Sequence, residues 1–84
     1  MAIDFEKDER SGRIILTDLP VTSMADSAID VRVGQTLVGR VEELAGGLVE
    51  LFLHQALKDS GRAFRLDEIL DDDGKIDSVE LVWI

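Results

Sequence analysis

The chain has 84 residues, no cysteine, and a formal charge of −9 from eighteen acidic against nine basic side chains. That length admits one hydrophobic core, burying roughly 60–65% of the unfolded surface, and predicts a single domain over residues 1–84. The absence of cysteine excludes disulfide frameworks, thiol nucleophiles and thiolate zinc sites, while the negative field disfavours direct contact with nucleic acid or anionic membrane and favours basic partners.

Taken from the start, Met1-Ala2-Ile3-Asp4-Phe5-Glu6 carries acid where a secretion signal carries base. No apolar run reaches the roughly 20 residues of a membrane span, because Glu42, Glu43, Glu50 and Lys58 interrupt the longest one. A cytoplasmic location is the expectation. Ile3 and Phe5 alternate, the polar cluster Asp8 to Gly12 follows, and Arg13 to Leu19 is rich in β-branched residues, which together predict a β-hairpin. Pro20 and the small polar stretch Thr22 to Ser27 interrupt the pattern as a loop or a single helical turn. Ile29, Val31 and Val33 then alternate with Asp30 and Arg32, the period of a half-buried strand near a sheet edge.

Beyond Gly34 the period changes. Leu37, Val41, Leu44, Leu48, Phe52 and Ala56 recur at steps of three and four, with Glu43, Glu50, His54 and Lys58 on another face. This spacing predicts one amphipathic helix of about 23 residues and about 34 Å, with Thr36 as N-cap and Gly61 as the glycine after its end. Gly39, Gly46 and Gly47 each cost such a helix about 1 kcal/mol relative to alanine. Either another backbone approaches closely on the glycine side, or the helix breaks at Ala45-Gly46-Gly47, leaving 36–44 a strand and 48–58 the only helix.

Ala63 to Leu70 reads as a strand or a short helix. Ile76 to Ile84, after a tight acidic turn, reads as a strand apolar on both faces: Val79, Leu81 and Trp83 on one, Val82 and Ile84 on the other. Such a strand lies centrally in a sheet or inside an interface. The fold class expected is α+β, an antiparallel sheet of about five short strands in the order ββ-β-α-ββ with the long helix on one face.

The sharpest local pattern is Asp71-Asp72-Asp73-Gly74-Lys75-Ile76-Asp77-Ser78-Val79-Glu80, which resembles the centre and end of an EF-hand calcium loop. Aligned on Gly74, the resemblance makes Asp71, Asp73, Asp77 and Glu80 the calcium ligands and Ile76 the apolar position. It also puts Ile69 at the first ligand position and a strand-like sequence where the second helix belongs. The alternative is a hairpin turn with Gly74 at positive φ. No other cofactor is expected.

Nothing in the chain assembles a catalytic set, so no enzyme activity is expected. His54, the only histidine, has Glu50 one helical turn earlier as its sole local acid, and no cysteine or Gly-x-Ser-x-Gly nucleophile accompanies them. The glycines match neither phosphate-binding pattern. Arg10, Arg13, Arg32, Arg40, Arg62 and Arg65 are scattered without the aromatic interleaving of a nucleic-acid track.

What remains is surface. Between residues 67 and 80 stand Asp67, Glu68, Asp71, Asp72, Asp73, Asp77 and Glu80 against Lys75 alone, six of the nine net negative charges. The expected function is a small acidic protein-interaction module, such as an inhibitor, immunity factor or adaptor, that docks on a basic surface of a partner protein. The alternative is a homo-oligomeric structural or assembly subunit, associating through Val82, Trp83 and Ile84 and the glycines Gly46 and Gly47. A calcium-responsive module stands third.

Overall fold

Short β-branched runs punctuated by glycine turns favour strands wherever both edges can be paired. In the computed structural model, which describes residues 2–84, they form eight strands. These are β1 (Ala2–Ile3), β2 (Phe5–Lys7), β3 (Ile14–Leu16), β4 (Ala28–Val33), β5 (Thr36–Glu43), β6 (Val49–Leu53), β7 (Phe64–Leu70) and β8 (Ile76–Trp83). Single 3-10 turns lie at Val21–Ser23 and Ala45–Gly47, and the one α-helix, α1, is Gln55–Asp59.

All eight strands belong to one sheet in the order β1-β7-β8-β4-β5-β6-β3-β2. Only Asp4 separates β1 from β2, so one short segment supplies both ends of that order. Ile3 lies opposite Leu66 on β7, and Phe5 lies opposite Leu16 on β3. At the switch, the Asp4 amide donates to Asp18 Oδ1 (3.1 Å) and the Asp4 carbonyl accepts from the Thr17 amide (3.1 Å). The sheet thereby curls into a nearly closed barrel, which leaves few unpaired edges. Neighbours run antiparallel except β4 and β8, where Val31 and Val79 pair in parallel.

Alternation along each strand sends one face inward. Ile14, Leu16, Ile29, Val31, Val41, Val49, Leu51, Leu66, Val79 and Leu81 form the buried interior, joined by Met24 from the loop after β3.

The expected α+β fold with a long helix over 36–58 is therefore wrong. Residues 36–43 and 49–53 are strands, and the helix that follows is five residues long. Two features of the strands hid their identity. Val31 pairs with Gly39 and Arg32 with Leu37, so Val38 is an extra residue in a β-bulge. The bulge puts Val38 and Val41, three apart, on the same inner face, where an unbroken strand would alternate. The supposed helical stripe is not a buried face either, since Leu37, Leu48 and Phe52 are exposed. Gly46 (φ 82°) and Gly47 (φ 79°) then form the turn between β5 and β6, a conformation closed to a continuous helix. The alternative break at Ala45-Gly46-Gly47 places the first strand correctly but still assigns β6 to a helix. β4, expected near an edge, lies between β5 and β8.

Gly39 has a second role. A Cβ there would sit 2.1 Å from the Phe52 carbonyl oxygen and 3.1 Å from Leu53 Cα. The close backbone approach suspected from the glycines exists at this position, between two strands.

Candidate functional site

The acidic residues fall into three settings. Asp67 and Glu80 lie opposite each other on the outer wall of the β7–β8 hairpin. Asp67 is paired with Arg65 (Nε to Oδ2, 3.2 Å), whereas Arg32, beside Glu80 on β4, is paired with Asp30 instead (2.9 Å). Glu68 has the opposite parity and lines the end of the barrel with Asp18 and Ser23, away from that wall. Asp72, Asp73 and Asp77 are exposed at the tip.

Asp71 builds the tip. Its Oδ1 accepts the amides of Asp73 and Lys75, both at 2.9 Å, and its own amide donates to the Lys75 carbonyl (2.7 Å), the self-bonding for which turns select aspartate. Lys75, the one base among these acids, extends away and donates from Nζ to the Thr22 carbonyl (2.6 Å). No ion pair neutralises Asp72, Asp73, Asp77 or Glu80 among the described residues.

Asp71, Asp73, Asp77 and Glu80 do not converge, and among the described residues no group of three or more His, Asp or Glu side chains is placed to hold a metal. Strand β8 runs on from the turn where an EF-hand loop would enter a helix.

The Glu50 to His54 helix pair has no basis in the fold. Glu50 lies on β6, where its nearly buried carboxylate receives Arg13 Nη2 (2.6 Å) and Nε (3.0 Å), and that hydrogen bond and charge raise the Arg13 pKa further. His54 is exposed at the N-cap of α1. On the outer wall, Arg40 is paired with Glu42 and its guanidinium lies 5.8 Å from the Phe52 ring centroid.

Of the residues considered for self-association, Val82 faces outward opposite Arg65 and Ile84 is 80% exposed. Gly46 and Gly47 lie in the exposed β5–β6 turn. Trp83 turns toward the barrel's other end, edge-on to Phe64 (84°, centroids 6.4 Å), which in turn stacks on Phe5 (13°, 5.1 Å). The Arg62 guanidinium covers the Trp83 ring at 4.4 Å.

That end holds a feature the linear pattern did not reveal, a cavity of about 260 Å³ bounded by inward residues of four strands and by α1. Its only linear trace is the adjacency of Arg62 and Phe64, and of Phe5 and Lys7. Among the described residues no helix is long and apolar enough to cross a membrane. No family model, curated protein or solved structure matches the chain.

Proposed function

We propose that this protein is a small binding module whose acidic hairpin end docks on a basic surface of a partner protein, in the manner of an inhibitor, immunity factor or adaptor in the cytoplasm. The observation that carries the reading is the unneutralised carboxylate set at the β7–β8 end. Asp72, Asp73 and Asp77 at the tip and Glu80 on the adjoining wall have no ion-pair partner among the described residues, because Lys75 is held on the Thr22 carbonyl and Arg32, beside Glu80, is paired with Asp30. Carboxylates gathered on a rigid hairpin present negative potential at little cost in ordering, which speeds encounter with a positive patch and selects against acidic competitors.

The test is affinity capture on the immobilised protein followed by elution in rising salt, run beside the variant Asp72→Asn/Asp73→Asn/Asp77→Asn. A basic partner retained by the native protein, released by moderate salt and lost with the variant supports the reading. Capture indifferent to both salt and the substitutions overturns it. The second reading, a homo-oligomeric subunit, draws on the exposed Ile84 and the outward Val82. Val82→Ser would then lower the sedimenting mass.

A further inference from the structure

From the cavity at the Trp83 end of the barrel, we infer that the protein has a second binding site, for a small monocarboxylate with an aromatic or branched apolar body. The walls are Phe5, Ile14, Leu53, Leu57 and Phe64, all apolar, and Phe5 and Phe64 stack on each other within the wall. Among the described residues, the only charged ones lining it are Lys7, Lys58 and Arg62. In a chain where acids outnumber bases two to one, no acid among the described residues lines this space.

The cations are also free to act on a ligand. The four ion pairs among the described residues involve Arg13, Arg32, Arg40 and Arg65, and none involves Lys7, Lys58 or Arg62. Contact with the Trp83 ring holds the Arg62 guanidinium in place, and no ion pair among the described residues occupies its N–H groups. An apolar interior with cations at the mouth demands a ligand of two parts, one desolvated against the apolar walls and one anionic at the rim.

Size limits the first part. A cavity of about 150 Å³ holds benzene, and drug-sized ligands need about 300 Å³ or more. About 260 Å³ therefore suits a single ring or a branched chain of similar bulk bearing a short acid arm. This site is independent of the acidic hairpin end, which lies at the far end of β7, roughly 20 Å away along the strand.

The test titrates the protein with hydrocinnamate, with its uncharged amide and with acetate, following backbone amide resonances. Hydrocinnamate is expected to shift resonances of Phe5 to Lys7 and of the α1 to Phe64 segment. The amide is expected to bind about 10-fold more weakly, for want of charge-assisted hydrogen bonds. Lys58→Gln/Arg62→Gln, at exposed or half-buried positions, should weaken hydrocinnamate by a similar factor and leave the amide unchanged. Equal binding of acid and amide, equal shifts with acetate, or no shift up to the solubility of hydrocinnamate would each overturn the assignment. So would a second copy filling the cavity, seen as a concentration-dependent mass without any added acid.

Discussion

Arg13 reaches across the β3–β6 pair to Glu50, so that a half-exposed guanidinium neutralises a carboxylate only 8% exposed. The reason for the contact lies on the next strand, where Glu42 stands directly opposite Glu50. Two like charges facing each other across a pair are destabilising. Here each has its own arginine, Arg13 for Glu50 and Arg40 for Glu42. Arg13→Ala should lower unfolding free energy by about 1–3 kcal/mol, because it leaves a nearly buried carboxylate without its cation. Arg13→Met/Glu50→Leu should recover most of the loss. Urea denaturation of the single and double variants measures both, and additive losses would argue against the pairing.

Gly39→Ala should be among the most damaging single-methyl additions available. The new Cβ would meet a backbone oxygen at 2.1 Å, and neither β5 nor β6 can retreat without breaking ladder bonds. A loss of more than about 2 kcal/mol, or failure to fold, is expected from denaturation or circular dichroism.

The aspartates at the hairpin tip should separate into two kinds. Asp71→Ala removes the acceptor for two turn amides and should cost about 1 kcal/mol. Asp72→Asn and Asp73→Asn, at exposed positions, should change stability by no more than about 0.5 kcal/mol. Thermal melts of the three variants decide this. Equal losses at all three would deny Asp71 its special place in the turn.

Asp8 supplies a pH dependence with a definite sign. The Arg10 amide (3.0 Å) and the Ser11 hydroxyl (2.9 Å) donate to its carboxylate and hold its pKa below the ordinary value of 3.8. The folded state favours the ionised form, so the contribution is complete above 3.8 and is lost as pH falls through the lower folded value. Melts of the native protein and of Asp8→Asn should differ at neutral pH and converge in strong acid. A gap that persists in strong acid would point to some other cause.

The two chain ends were easier to read than the middle. The hairpin through Asp8 and Gly12 and the hairpin through Asp71 and Gly74 are local, each closed by residues a few positions apart, so composition alone betrays them. The segment 36–58 misleads because the Val38 bulge breaks the alternation that would have marked β5 as a strand. The parallel pairing of β4 with β8 and the return of β1 to β7 join distant segments, and no local period encodes them. The acids were visible one by one, yet the turning of Glu68 to the inner wall and the holding of Lys75 by Thr22 depend on strand parity and on a remote loop. The cationic rim needed the barrel, because Lys7 and Arg62 are neighbours only once β2 and the approach to β7 line the same end.

The double pairing of residues 2–7 also governs how the barrel assembles. Ala2 and Ile3 find their partners on β7 roughly 60 residues along the chain, the widest separation among the strand pairs, and such non-local pairing is slow to form. Until they do, β3 and β7 each present an unpaired edge, so slow closure by residues 2–7 should lengthen the time during which intermolecular strand addition competes. Refolding should therefore be slow for so short a chain and should lose yield as protein concentration rises. A soluble peptide matching residues 2–7, added in excess, should rescue that yield by sealing both edges at once.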